Sequence, residues 1–225
     1  MVLSQSASRQ DLLPLTFTPL KADPVFFVDA CNQEAWSHLS SWPAWSLNAL
    51  IVAGPRGCGK TYMGKLWQRR TKAYRWPLEA DAVALFEKKT KPHLLVDNLA
   101  DWVRPDDQAK KLLAALNAVR ERGGTCLLLG EPPFFFDETL KDLTSRLKAM
   151  VMTSLQVPND ALFRRVLELL FDQMQCAIKN DVLCFLCHRI PREMGMAQKV
   201  VRFLNQESLK QKKKVTLDFV RAYSF

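Results

Sequence analysis

No apolar run in this 225-residue chain approaches the ~18 residues that cross a bilayer, so a membrane-spanning role is not expected. The opening MVLSQSASRQ lacks the hydrophobic core of a secretory leader. Six cysteines in a chain of this size do not make a disulfide framework, and the expectation is a soluble, reduced, cytoplasmic protein. Internal repeats are absent. The one charge run, Lys210 to Lys214 (KQKKK), reads as a solvated loop between helices. Acidic residues are outnumbered 23 to 32 by Lys and Arg, for a formal net charge of +9. That excess favours polyanionic surroundings only non-specifically: nucleic acid, an acidic partner protein, or simply a basic surface. With 48% hydrophobic and 24% charged residues the composition is ordinary for a globular protein. The length allows an α/β core and a small second domain.

Cys184-Phe185-Leu186-Cys187-His188 spells CxxCH, the string that attaches c-type haem. Haem attachment needs export and a distal axial ligand, and neither is indicated. The stretch Val182 to Ile190 is apolar, and its cysteines read as small apolar residues on a buried helix face.

What the chain does have is Gly54-Pro55-Arg56-Gly57-Cys58-Gly59-Lys60-Thr61, a full match to G-x-x-x-x-G-K-[ST]. Its glycines let successive backbone N–H groups turn inward around phosphate oxygens, and Lys60 adds a charge toward the β/γ-phosphates. Thr61 offers a hydroxyl to Mg²⁺, and a following helix points its positive end at the same anion. The flanks agree: Leu47 to Ala53 is a short apolar run suited to a buried strand, and Thr61 to Arg70 suits a helix.

The surrounding pattern alternates. Thr71 to Trp76 predicts a strand and Leu78 to Lys88 a helix. His93 to Asp97 predicts a strand, Asp106 to Arg122 a helix stopped by Gly123-Gly124, and Thr125 to Gly130 a strand. Met150 to Val157 closes a series that implies a parallel sheet between helices. From Asn159 onward the period is helical. Asn159 or Asp160 is expected to cap one helix and Asn180 another, with Pro191 starting a third and Thr216 preceding a fourth.

A phosphate loop needs an acidic partner for Mg²⁺ at the end of a neighbouring strand. Asp97, after Leu94-Leu95-Val96, supplies it. The next residue, where hydrolytic members keep a second carboxylate, is Asn98, and an amide cannot accept a proton from water, so slow intrinsic hydrolysis is expected. Asp101, four residues on, is expected to be displaced along the turn and is not assigned as a base.

The order GPRGCGKT, LLVDN, LLLGEPP, DLTSRL and IPREM resembles the DnaA-related AAA+ proteins, and within them the Hda-type regulators, over roughly residues 25 to 225. The resemblance implies a P-loop AAA+ α/β/α domain with a parallel sheet over 25–157, followed by a small all-helical lid over 158–225. Residues 1–24 would form a tail. Arg146, in DLTSRL, matches the arginine finger that reaches a nucleotide held by a neighbouring subunit; its bland alternative is an i,i+4 pair with Asp142. Arg192 matches the lid arginine that senses phosphates in cis. The implied ligand is ATP or ADP on residues 54–61 with Asp97, Asn98 and Arg192, and Mg²⁺ at Thr61 and Asp97. Gln10-Asp11-Leu12-Leu13-Pro14-Leu15 resembles the peptide by which bacterial replication proteins dock on the sliding clamp, with Gln10, Leu12, Leu13 and Leu15 filling a groove and Pro14 stiffening the segment.

The implied function is negative regulation of chromosomal replication initiation. The protein would sit on the DNA-loaded clamp and use Arg146 to stimulate ATP hydrolysis by DnaA. Two departures bear on this. No Ser, Thr or Asn ends Leu127-Leu128-Leu129-Gly130-Glu131, where a polar sensor of the γ-phosphate is expected, and no helix-turn-helix follows the lid, so sequence-specific DNA reading is not expected. Other readings are a DNA-remodelling or helicase-loader ATPase on single strands, and a small-molecule kinase, in which DLTSRL has no job. Dimerisation and non-specific DNA binding are left open.

Overall fold

The computed structural model describes residues 25–76, 86, 90–103, 106–132 and 141–225. Residues 10–15, and most of the helix expected over 78–88, lie outside these described residues.

Five parallel strands form one sheet: β1 (Ala49–Ala53), β2 (Tyr74–Arg75), β3 (His93–Val96), β4 (Thr125–Gly130) and β5 (Val151–Ser154), in the order β2-β3-β4-β1-β5. Beyond His93 and Thr125, which open β3 and β4, the central strands carry apolar residues or glycine because both faces are covered, as parallel sheets require. Alternation assigns the faces. Leu50, Val52, Leu95, Leu127 and Leu129 pack in one layer with α1 (Gln33–Ser40) and α2 (Lys60–Thr71). Ile51, Leu94, Val96 and Leu128 pack on the other side. There they meet α3 (Ala100–Val103), α4 (Asp106–Glu121) and α5 (Lys141–Ala149). The result is the three-layer α/β/α arrangement that the alternation implied. Gly64 of α2 lets helix and sheet approach closely, since a Cβ there would lie 2.7 Å from Leu129 Cδ1.

A second core joins α6 (Asp160–Gln173), α7 (Asn180–Arg189), α8 (Met194–Gln211) and α9 (Leu217–Arg221) around Phe163, Phe171, Val182, Leu186 and Leu204. Asn159 caps α6 by accepting from the Leu162 N–H at 2.8 Å, and Thr216 caps α9 by accepting from Phe219. The other two expected starts are different. Asn180 lies inside α7, where its amide oxygen accepts from Arg164 instead of capping. Pro191 sits three residues ahead of α8, whose first residue is Met194.

Other expectations shift for local reasons. The strand expected over 71–76 shrinks to two residues because α2 runs on to Thr71 and Lys72 ends it in a left-handed turn (φ 57). The strand expected from Leu47 begins at Ala49, after a 3₁₀ turn in which Leu47 and Asn48 are left-handed. Cys184 and Cys187 are only half-buried; the fully buried positions of α7 are Val182, Leu183 and Leu186, which leaves both cysteines on its flanks. The KQKKK run starts within the last turn of α8, with Lys210 paired to Glu207 at 2.7 Å, and continues into an exposed turn.

One polar cluster lies at the starting edge of the sheet. Trp42 Nε1 donates to the buried Thr125 Oγ1 at 2.9 Å, and His93 Nδ1 lies 2.8 Å from the same oxygen. Because an indole only donates, the threonine proton is free to serve a neutral His93. Burial holds His93 below its ordinary 6.5. A folded-state value below the unfolded one means that the stability contribution is complete above 6.5 and is lost as pH falls through the folded value. Melting temperature should therefore decline from about pH 7 to about pH 5 in the native protein, and less steeply in His93→Gln. Parallel melting curves for the two proteins would count against this coupling.

Candidate nucleotide site

The loop between β1 and α2 lies at the C-terminal edge of the sheet, where α/β folds place their ligands. It frames a cavity of about 590 Å³, within the size range of small-molecule sites. Arg56, Gly57, Lys60 and Thr61 line it from the loop, and Asp97 and Asn98 from the end of β3. Gly57 (φ 75) and Gly59 (φ 107) adopt the left-handed backbone that the turn demands. Lys60 Nζ donates to the carbonyls of Gly54 and Pro55, each at 2.7 Å, so its charge is held against the loop itself. Cys58 is buried beneath it. Burial raises this thiol above its ordinary value while the nearby Lys60 opposes the shift, so thiolate reactivity is not a feature of the loop.

Thr61 and Asp97 meet as the sequence implied: Thr61 Oγ1 lies 3.2 Å from Asp97 Oδ2 and 3.4 Å from Oδ1. The same carboxylate has two further partners. Arg75 Nη2 donates to Oδ2 at 2.8 Å, and the Asn98 N–H donates to Oδ1 at 3.1 Å. The donors are of the right kind for Mg²⁺, which takes hard oxygen ligands. In this arrangement the carboxylate already carries a cation, so an entering ion would have to displace the Arg75 guanidinium.

Several cavity residues were not assigned from sequence. Arg75 ends β2, Trp76 follows it and Trp102 lies on α3, with the two indole rings 4.1 Å apart. Asp101 does line the cavity: Asn98 is left-handed (φ 59), its amide donates to Asp101 Oδ2, and the Asp101 N–H returns to the Asn98 carbonyl. At the end of β4, where no neutral polar sensor was found, Gly130 and Glu131 face the cavity. Glu131 was legible as the residue ending a strand. Arg75 was not, since its place depends on β2 lying beside β3.

The helical unit meets the loop directly. The Met194 N–H donates to the Gly57 carbonyl at 2.8 Å, and a Cβ on Gly57 would fall 2.6 Å from Glu193 Cβ. Arg192, two residues away, does not line the cavity as expected; it pairs with Asp160 at 2.7 Å, both side chains well exposed. A surface pair of that kind contributes roughly 0–1 kcal/mol and holds the guanidinium weakly.

Arg146 is elsewhere. It lies on α5 and donates to Asn117 Oδ1 of α4, not to Asp142. With Arg120 and Leu47 it borders a second cavity of about 370 Å³ near the start of β1. The phosphate loop follows the other end of that five-residue strand, on the order of 13 Å away. Asn117 fixes the guanidinium without neutralising it. Among the described residues no three His, Cys, Asp or Glu side chains gather as a metal site, and no helix is long and apolar enough to cross a membrane.

Residues 160–223 match the family described as Hda, lid domain. A protein of Haemophilus influenzae described as uncharacterized is 26% identical over 182 residues, covering 76% of this chain and 78% of that one. Among solved structures, domain III of the Thermotoga maritima replication initiation protein DnaA superposes with a TM-score of 0.71 at 14% identity, covering 87% and 91% of the two chains. AMPPCP-bound DnaA from Aquifex aeolicus gives 0.63 at 12% identity, covering 83% of this chain and 67% of that one.

Proposed function

We propose that this chain is a DnaA-related, Hda-like AAA+ protein that regulates replication initiation by donating Arg146 to ATP held on DnaA, a reading supported by the match of residues 160–223 to the Hda lid domain and by the DnaA-like fold. The observation that carries this reading is the location of Arg146. It is fixed by a neutral partner, keeps its charge, and lies at the opposite edge of the sheet from the chain's own phosphate loop. Such an arginine cannot serve its own nucleotide and is suited to a neighbour's. Its planar fork can take two oxygens of the transferring phosphoryl group as charge develops there.

In this reading residues 25–157 hold ATP or ADP through 54–61, and the lid over 158–225 closes against the loop through Met194 and Gly57. Nucleotides seen on AAA+ relatives support a nucleotide here as well. Asn98 and the ion-paired Asp97 favour holding over turnover. Arg192 reaches the phosphates only by leaving Asp160. The tail brings Gln10, Leu12, Leu13, Pro14 and Leu15 to the sliding clamp, so that clamp-bound protein acts where replication has just begun. The site of action is the cytoplasm. The net charge of +9 also favours non-specific contact with DNA.

The test is ATP hydrolysis by purified DnaA with and without this protein, the clamp and DNA. Acceleration is expected only with all components present, and replacing Leu12 and Leu13 by alanine should abolish it even in the complete mixture. No acceleration in the complete mixture would sink the reading.

A further inference from the structure

We propose that Arg75 is a built-in counter-cation for Asp97 that makes nucleotide binding at this loop nearly independent of divalent metal. The inference rests on the nucleotide reading above and adds a role for a residue outside every motif of the phosphate loop.

Register places the guanidinium. Arg75 of β2 pairs with Leu95 of β3, and Asp97 follows Leu95 by two residues, so both side chains project to the sheet face that carries α2 and Thr61. The ion pair closes at 2.8 Å, with Arg75 49% exposed and Asp97 20%. Asp97 Oδ2 thereby serves Arg75 and Thr61, and Oδ1 serves the Asn98 N–H.

A magnesium ion normally enters such a site by engaging the strand-end carboxylate and the loop hydroxyl, offsetting phosphate charge. Here it would have to displace a charge-assisted hydrogen bond and lie beside a permanent positive charge, because arginine does not deprotonate. Arg75 also lines the cavity itself. A guanidinium has five N–H donors, and those not used by Asp97 are available to a polyphosphate in the cavity, supplying part of the neutralisation otherwise left to the metal. Trp76 packs tilted against Trp102 beside it, and both rings line the cavity on that side.

The experiment titrates the full chain with a fluorescent ADP analogue, in excess Mg²⁺ and again in excess EDTA, and takes the ratio of the two dissociation constants. The native protein should give a ratio below roughly threefold. In Arg75→Gln, which frees Asp97 for metal, the ratio should rise to roughly tenfold or more, chiefly by weaker binding in EDTA. Arg75→Lys keeps the charge and should restore a low ratio. Arg75 is half-exposed at a strand end, so these variants should fold, and thermal melts check that they do. Equal ratios in native protein and Arg75→Gln, or a tenfold ratio in the native protein, would overturn the role of Arg75 while leaving the nucleotide reading intact. Absence of binding in both conditions overturns both.

Discussion

Arg146→Ala should reduce stimulation of DnaA ATP hydrolysis by about 10³-fold or more while leaving this protein's own nucleotide affinity unchanged. The size follows from what a donated guanidinium does for a phosphoryl transfer: it meets charge that exists only in the transition state. The second half follows from position, since the residue borders the start of β1 whereas the loop follows its end. Arg146→Lys should recover little, because an ammonium lacks the planar fork. Asn117→Ala should have an intermediate effect, loosening the guanidinium without removing it. Single-turnover hydrolysis by DnaA, with a nucleotide titration of each variant, separates the two readouts. Persistence of stimulation in Arg146→Ala would remove this residue from the finger role.

The second large effect is expected at Gly57, where alanine should cost roughly 100-fold in nucleotide affinity. The backbone there is left-handed (φ 75), which L side chains adopt at a cost of ~1–3 kcal/mol. The added Cβ would also meet Glu193 at 2.6 Å from both Cβ and Cγ and 2.9 Å from Cα. A flexible side chain can yield, but a Cα moves only with its backbone. The first residues of the lid helix must therefore shift, breaking the Met194 bond to the Gly57 carbonyl. Hydrogen exchange at the Met194 amide should accelerate together with the loss of affinity. Gly195→Ala is the control, since a Cβ there meets nothing within 4 Å and should change neither quantity. Unchanged affinity in Gly57→Ala would mean that lid and loop are not coupled.

The parts of this molecule that could be read from sequence are those in which a local pattern dictates geometry. β1, β3 and β4 are short apolar runs because they are buried on both faces. Asn159 and Thr216 cap helices because their side-chain oxygens reach back to an orphaned N–H. Asn180 has the same cap chemistry, yet tertiary contact with Arg164 claimed its oxygen. β2 was overdrawn because α2 keeps its period through Thr71, and nothing local marks where Lys72 turns. Arg75 and Asn117 were invisible for another reason. Their roles depend on which strand or helix lies alongside, and sheet order is a long-range fact that neither residue's neighbours encode. The GPRGCGKT loop announced the ligand class, but the cation beside Asp97 came from β2, the strand alongside β3.

The contact between Met194 and Gly57 is made by backbone atoms on both sides. The hydrogen bond itself asks of residue 194 only an N–H, while the partly buried Met194 side chain separately approaches the loop, its Cγ 4.0 Å from where a Cβ on Gly59 would lie. Proline is barred, because it has no hydrogen to give. The hydrogen bond between loop and lid therefore survives any residue but proline at 194, whereas residue 57 tolerates little beyond glycine. Divergence should leave that bond intact through most changes at residue 194 and break it through most changes at residue 57, even though the two meet in a single hydrogen bond.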